Sequence, residues 1–144
     1  MDRGVLLAKA REAREKAVAP SSKFRVGAAL LCDDGSVFTG CNIESPTYLG
    51  ICAERVALFK ALSEGRRGFE AIAIVCGANG GCSPCGSCRQ ILWEFAPNLE
   101  VALDDGRGGF ILRRIQDYFP EPFDRDKLDP ARNTGSKKRY PRLE

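Results

Sequence analysis

Three cysteines and one glutamate are the residues of this chain best suited to chemistry. Cys52 and Glu54 lie two positions apart, and Cys85 and Cys88 lie three positions apart further along the chain. Three thiolates can hold one Zn²⁺ ion and leave its fourth tetrahedral position to water, which is the arrangement of a catalytic zinc site. The chain contains no histidine, so a catalytic metal must be held by sulfur and the general base must be a carboxylate. Glu54 is the candidate for that role.

A structural zinc site is the alternative interpretation. Such a site normally has four protein ligands, and Cys82 could supply the fourth. That arrangement would require Cys82 to bend out of its loop, and it would leave the position of Glu54 beside Cys52 a coincidence. The remaining cysteines lie in or beside predicted strands and are expected to be small buried apolar side chains. They are Cys32, Cys41 and Cys76.

Basic and polar side chains stand directly beside these cysteines. Arg55 follows Glu54, and Arg89 and Gln90 follow Cys88. Three thiolates around Zn²⁺ leave one net negative charge, and hydrogen-bond donors next to a metal site tune it strongly. We therefore expect Arg55 or Arg89 to offset the charge of the third thiolate. Gln90, next to Arg89, is expected to lie near the metal site as well.

The hydrophobic pattern predicts the helices and strands that would position these residues. Helices beginning at Cys52 and near Cys85 would place the sulfurs at two helix N-termini, whose partial positive charge favours thiolates. Pro84 is expected in the first turn of the second helix. The order of elements predicts an α/β fold with a mixed sheet sandwiched between helices. The predicted elements are a helix over 4–18, hairpin strands over 24–32 and 37–41, a helix over 52–63, strands over 71–75 and 99–103, and helices over 86–95 and 111–119.

Composition indicates a single globular domain. The 144 residues are 44% hydrophobic and 28% charged, and no apolar run approaches the ~20 residues that span a bilayer. The start does not have the pattern of a signal peptide, so the seven cysteines indicate reduced thiols and metal ligands. We therefore expect a cytoplasmic protein without a membrane partner. Residues 1–128 are expected to form the catalytic domain and residues 129–144 a basic, flexible tail.

Charge gives little reason to expect a nucleic-acid partner. Much of the net charge of +3 comes from the tail, and the body of the chain is nearly neutral. A non-catalytic, zinc-stabilised RNA-binding module remains a rival interpretation, and it would show salt-dependent RNA affinity. The tail offers only Tyr140 for stacking on bases, which argues against that interpretation.

Five segments of the chain resemble the small, homotetrameric cytidine deaminases. The likeness extends over residues 5–123 and includes the Cys-x-Glu and Pro-Cys-x-x-Cys motifs typical of zinc nucleobase deaminases. It implies a three-layer α/β/α sandwich around a mixed sheet of about five strands. It also implies hydrolytic deamination of cytidine or deoxycytidine to uridine or deoxyuridine plus ammonia, one Zn²⁺ per chain, a role in pyrimidine salvage, and a homotetramer with shared active sites. The matching segments are residues 22–29, 40–44, 52–55, 84–90 and 119–123.

The resemblance implies a role for each matched residue. Asn42 and Glu44 would hold the ribose 3′-hydroxyl, and Phe24 would pack against the pyrimidine. Phe123 would reach the active site of a neighbouring subunit. Core packing is the alternative role of Phe24 and Phe123, and turn formation is that of Asn42. The zinc ligands would be Cys52, Cys85 and Cys88, the proton shuttle Glu54, and the substrate-binding residues Phe24, Asn42, Glu44, Ala53 and Phe123.

Two departures from the family pattern bear on the substrate. The segment from Glu44 to Cys52 is one residue shorter than is usual, and Ser21 replaces an aromatic residue after Pro20. The loop between the expected sugar and metal sites is therefore reshaped. A modified cytidine or a cytosine nucleoside antibiotic of the blasticidin type is the alternative substrate.

Overall fold

The computed structural model describes residues 1–77 and 81–128, except for the side chain of residue 126. The tail predicted at residues 129–144 lies outside the described residues. No described helix combines the length and apolar character needed to cross a membrane. The elements in chain order are α1 Arg3–Arg14, β1 Val26–Cys32, β2 Val37–Cys41, α2 Ala53–Ser63, β3 Phe69–Cys76, α3 Gly86–Phe95, β4 Glu100–Asp104, β5 Phe110–Arg114, α4 Ile115–Tyr118 and a 3₁₀ turn Arg125–Leu128.

The strands form one mixed sheet in the order β2-β1-β3-β4-β5. β3 and β4 are parallel, and the other neighbouring pairs are antiparallel. Both faces of β1 and β3 are buried, which explains their continuous apolar runs. α1 covers one face, over small residues such as Ala29 and Ala73, whereas α2 and α3 cover the other, where Leu30 and Ile72 lie. The predicted three-layer α/β/α sandwich with about five strands is confirmed.

The helix predicted over residues 111–119 is wrong in its first half. Phe110–Arg114 is a strand that pairs antiparallel with β4, and only Ile115–Tyr118 is helical. Gly106 and Gly108 have φ angles of 71° and 90°, which reverse the chain and bring the following apolar run back along β4. A short apolar run fits either structure in isolation, and here pairing with the sheet decides between them.

Two other boundaries differ from the prediction. α1 ends at Arg14 rather than at residue 18. α3 begins at Gly86 with Cys85 as its N-cap, so Pro84 precedes the cap instead of occupying the first turn. The other predicted elements agree with the structure to within one or two residues at each end.

Gly40 allows β2 to approach the beginning of α2. A Cβ atom at Gly40 would collide with the carbonyl oxygen of Ala53 and would lie 2.7 Å from the amide nitrogen of Ala57. Only glycine permits an approach this close. Because Ala53 directly follows Cys52, this contact fixes where the N-terminus of α2 stands relative to the sheet.

Gly40→Ala is therefore expected to destabilise the fold. Overpacking at a backbone contact typically costs about 1–3 kcal/mol of unfolding free energy, which lowers the melting temperature by roughly 3–10 °C. Thermal denaturation followed by circular dichroism measures the change. Gly77→Ala is the matched control, because its Cβ would meet its nearest neighbour at an ordinary 3.6 Å. Equal melting temperatures for the two variants would contradict the prediction.

Candidate metal centre and substrate cleft

Two helix N-termini bring the three cysteines together. Cys52 is the N-cap of α2 and Cys85 the N-cap of α3, while Cys88 lies in the first turn of α3. Both caps have extended backbone, and neither uses its side chain to cap the helix. All three Sγ atoms lie within 4.8 Å of one another.

The spacing and exposure of the sulfurs fit a Zn²⁺ ion. Tetrahedral coordination with Zn–S distances of about 2.3 Å places neighbouring sulfurs about 3.8 Å apart. The Sγ atoms of Cys52 and Cys85 lie 3.7 Å apart. Cys88 is buried and Cys85 is exposed, so the cluster has one side in the protein core and one side at the surface.

The crowding of the three thiols also favours a bound cation. Hydrogen bonds from Cys88 and Arg55 lower the pKa of the Cys52 thiol to about 5. Hydrogen bonding to Cys52, burial and the nearby Glu54 carboxylate instead raise the pKa of the Cys88 thiol. The contact between Cys52 and Cys88 thus shifts their pKa values in opposite directions, so the two thiols do not both favour the thiolate form. A divalent cation removes this conflict, because the thiolate is the form that binds it.

Cys82 does not join this group. Among the described residues, the potential ligand atoms that converge closely enough to hold a metal ion are the sulfurs of Cys52, Cys85 and Cys88. Burial and a hydrogen bond with Cys76 raise the pKa of the Cys82 thiol. The geometry therefore favours three protein ligands over the four that a structural zinc site requires.

Glu54 combines burial with a position next to the sulfur cluster. It lies in the first turn of α2, and its exposed fraction is 5%. Burial, together with the negative charge of Cys52, raises the pKa of its carboxyl group. A carboxyl group whose pKa is raised toward neutrality can both accept and donate a proton, as a general acid–base catalyst must.

Arg55 contacts the cluster, and the two other polar neighbours do not. The Arg55 Nη2 donates to Cys52 Sγ at 3.3 Å. Arg89 Nη1 instead donates to the Tyr118 carbonyl at 2.9 Å, and its guanidinium lies 5.7 Å from the centroid of the Phe119 ring. Of the two arginines expected to offset the third thiolate, Arg55 is the one placed to do so.

Gln90 holds the C-terminal segment together with Arg89. Its Nε2 donates to the Phe123 carbonyl and to Glu94 Oε1, each at 2.9 Å. These bonds, with the one from Arg89 to Tyr118, attach residues 118–123 to the helix that carries two of the cysteines. Phe123 is 55% exposed, so core packing does not describe its side chain.

A cleft of about 690 Å³ opens beside the cluster. Phe24, Asn42 and Glu44 line it together with Cys52 and Arg55, so three of the predicted substrate-binding residues share a cavity with the predicted metal site. Phe24 is 41% exposed and is not a core residue. Ala53 has a fully buried side chain, and neither Ala53 nor Phe123 lines the cleft.

The amide of Asn42 is bonded to the chain that leads into β1. Its Oδ1 accepts from the Val26 amide, and its Nδ2 donates to the Phe24 carbonyl, each at 2.8 Å. Its side chain therefore positions Phe24 from within the cleft, which is more than the turn-forming role considered from the sequence. Ser22, which contacts Glu44, was not singled out by the sequence analysis, because a serine among turn-forming residues carries no distinctive signal.

Residues 2–102 match the family model described as the cytidine and deoxycytidylate deaminase zinc-binding region. The chain belongs to this family. It is similar to the cytidine deaminase of Sporosarcina psychrophila, with 44% identity over 133 residues that cover 91% of this chain and 98% of that protein. The crystal structure of cytidine deaminase from Burkholderia pseudomallei matches with a TM-score of 0.81 and 47% identity, over 85% of this chain and 100% of that chain. Zinc is the cofactor that this zinc-binding deaminase domain implies, and the cysteine cluster fits it.

A deaminase named for another substrate is similar at a lower level. The blasticidin-S deaminase of Bacillus cereus is 28% identical over 116 residues, which cover 73% of this chain and 81% of that protein. This identity is well below that of the Sporosarcina enzyme, 44%. The deaminase family thus includes relatives with both kinds of substrate, and the more similar relative is a cytidine deaminase.

Cys85→Ser should lower the zinc content of this deaminase below one ion per chain, because a serine hydroxyl is a poor ligand compared with a thiolate. Cys82→Ser should retain the wild-type zinc content, since Cys82 lies outside the cluster. Elemental analysis after equilibration with a weak chelator measures both. Full zinc content in Cys85→Ser, or loss of zinc in Cys82→Ser, would contradict the three-thiol assignment.

Proposed function

We propose that this protein is a zinc-dependent cytidine deaminase that converts cytidine or deoxycytidine and water into uridine or deoxyuridine and ammonia. The observation that carries the proposal is the buried Glu54 carboxyl in the first turn of α2, two residues after Cys52 and beside the three-sulfur cluster. Membership of the deaminase family and the similarity to two cytidine deaminases support the same function.

Cys52, Cys85 and Cys88 would hold one Zn²⁺ per chain. The bound ion would supply Lewis acidity that lowers the pKa of a water molecule and makes it a nucleophile at neutral pH. The Arg55 guanidinium, which donates to Cys52 Sγ, would offset the negative charge of the third thiolate. A neutral histidine ligand would avoid this extra charge, but the chain contains no histidine.

Glu54 would carry both protons of the reaction. Its carboxylate takes one proton from the attacking water and delivers it to N3 of the pyrimidine, which makes C4 electrophilic. The water oxygen adds to C4, and Glu54 then carries the second water proton to the amino group, which leaves as ammonia. One carboxyl group can make both transfers when it is well positioned and has a suitable pKa. The chain contains no histidine that could share this role.

The cleft residues would bind the nucleoside. The Glu44 carboxylate would accept a hydrogen bond from the ribose 3′-hydroxyl, beside the Asn42 amide. Phe24 would pack against the pyrimidine with its exposed ring. Ala53, whose side chain is buried, would offer only its backbone to the substrate.

Glu54→Gln tests the proton-transfer role. The amide has nearly the same shape but cannot accept the proton, so turnover should fall by about 10²–10⁴-fold while the zinc content stays at the wild-type level. Ammonia release from cytidine and elemental analysis measure the two quantities. Glu64→Gln, at the exposed end of the same helix, is the control with wild-type turnover. Glu54→Gln retaining a tenth of the wild-type rate would refute the shuttle.

A modified cytidine or a blasticidin-type nucleoside is the second candidate substrate. In the loop of residues 45–50, the exposed fraction is 97% for Tyr48 and 85% for Leu49. Tyr48 also lines the cleft, so this side of the cleft could admit a bulkier substituent. A panel of cytidine, deoxycytidine and blasticidin S, followed by ammonia release, separates the candidates. The level of sequence similarity favours cytidine.

We also propose that the chain forms a homotetramer with shared active sites. Exposed apolar side chains next to the cleft and at the sheet edge support association, because large apolar patches are rare on monomers. Phe123 would then contribute to the site of a neighbouring copy. The exposed residues are Tyr48, Leu49, Phe110, Ile111, Leu112 and Phe123.

Light scattering after size-exclusion chromatography tests the assembly. The expected molar mass is about four times the 15.7 kDa of the chain. Phe123→Ala should raise KM for cytidine if its ring shields a neighbour's substrate. A monomeric mass at micromolar concentration would contradict the proposed tetramer.

The proposed function also includes a cellular compartment and a biological role. Seven cysteines expected as reduced thiols and metal ligands support a cytoplasmic role in pyrimidine salvage. Residues 1–128 would form the catalytic domain, and the basic residues 129–144 would be an appendage to it. Nucleic acid is not proposed as a partner, because the cleft is sized for a small molecule.

A further inference from the structure

We propose that Ser22 is a positioning residue that holds the Glu44 carboxylate in the orientation that receives the sugar hydroxyl of the substrate. The inference rests on the proposed function and extends it, because it assigns a role to a side chain outside the zinc and acid–base groups. It concerns binding of the sugar and not the chemical step.

Ser22 contacts Glu44 with both its backbone and its side chain. The Ser22 amide lies 3.2 Å from Glu44 Oε1 and 3.1 Å from Oε2. The Ser22 Oγ donates to Glu44 Oε1 at 3.1 Å. Oε1 thus receives two hydrogen bonds, whereas Oε2 receives only a share of the amide bond and keeps acceptor capacity for a ligand in the cleft.

The backbone around Ser22 is arranged for this contact. Lys23 has a φ angle of 58°, a left-handed conformation that is uncommon for a residue other than glycine. Its amide donates to the Ala19 carbonyl at 3.0 Å, and the Phe24 amide donates to Ser22 Oγ at 3.0 Å. Because Ser22 Oγ accepts from Phe24, its own proton is directed to Glu44. The serine therefore links the residue proposed at the pyrimidine with the residue proposed at the sugar.

Fixing Glu44 matters because the residue is only half-buried and lines an open cleft. A solvated glutamate samples several rotamers, and binding a hydroxyl through it costs side-chain entropy. Ser22 reduces that cost before the substrate arrives. Such a contribution is the same in the ground state and the transition state, so it acts on KM and leaves kcat nearly unchanged.

The test compares Ser22→Ala, Ser22→Thr and a control variant on two substrates. Ser36→Ala is the matched control, because the Ser36 Oγ donates to Asp34 Oδ1 at 2.6 Å in the β1–β2 turn, away from the cleft residues. The substrates are cytidine and 3′-deoxycytidine, which lacks the hydroxyl that Glu44 is proposed to bind. Zinc content and melting temperature are measured for every variant.

Ser22→Ala should raise KM for cytidine roughly three- to tenfold, as expected for the loss of one hydrogen bond to a carboxylate, with kcat, zinc content and melting temperature close to wild type. Ser22→Thr keeps the hydroxyl and should restore KM, and Ser36→Ala should behave as wild type. For 3′-deoxycytidine, Ser22→Ala should lose distinctly less kcat/KM than for cytidine, because the sugar contact that Ser22 supports through Glu44 is absent and only the bond from the Phe24 amide is lost.

Three results would overturn the inference while leaving the proposed function intact. They are an equal loss on both substrates, a loss confined to kcat, and an unchanged KM for cytidine in Ser22→Ala. A wild-type protein that releases no ammonia from cytidine would instead overturn the proposed function and this inference with it. The first measurement, wild-type turnover of cytidine, therefore separates the two failures.

Discussion

The convergence of three sulfurs from two helix N-termini is the constraint on which the rest of the structure depends. Cys52 is the N-cap residue of α2, and Cys85 and Cys88 lie at the start of α3, so the two helices begin close together on one face of the sheet. A Zn²⁺ ion bound there would join helices that share few other contacts. Such an ion would therefore contribute to the stability of the fold as well as to the proposed chemistry.

The sheet supplies the accuracy that this convergence needs. α2 and α3 pack over a face of β1 and β3 filled by buried aliphatic residues, including Leu30, Ile72 and Ile74. Gly40 brings β2 against the first turn of α2, and Gly27 brings β1 against the C-terminal turn of α1 on the opposite face. These two close contacts at glycine set the distance of α1 and α2 from the sheet. Side-chain packing then sets the orientation of each helix about its own axis.

Sequence reasoning was most accurate where the pattern was local. The metal motif, the hairpin and the helix Gly86–Phe95 could be predicted, because cysteine spacing, turn residues and apolar periodicity are all read within a few residues. β5 could not be predicted, since its pairing with β4 arises only when two glycine turns reverse the chain. Membership of the deaminase family was also evident from local motifs.

Hydrogen bonds between side chains and distant parts of the chain could not be predicted from the sequence. Arg89 directly follows Cys88, whereas Arg55 lies three residues after Cys52. Arg55 nevertheless donates to a sulfur, and Arg89 donates to the Tyr118 carbonyl. The bond between Ser22 and Glu44 joins two segments whose proximity depends on the path of β1 and β2. Side-chain hydrogen bonds of this kind are decided by tertiary geometry, not by spacing.

Hydrogen bonds from Arg89 and Gln90 attach residues 118–123 to α3, the helix that begins at the Cys85–Cys88 pair. Arg89 has its Nε buried and unpaired, and its charge is offset by the Tyr118 carbonyl and the face of Phe119. Tyr118 and Phe119 therefore stabilise the positive charge that Arg89 carries on α3. Because Arg89 directly follows Cys88, replacing Phe119 by a small residue would remove one of the groups that compensate the Arg89 charge, one residue away from the sulfur cluster.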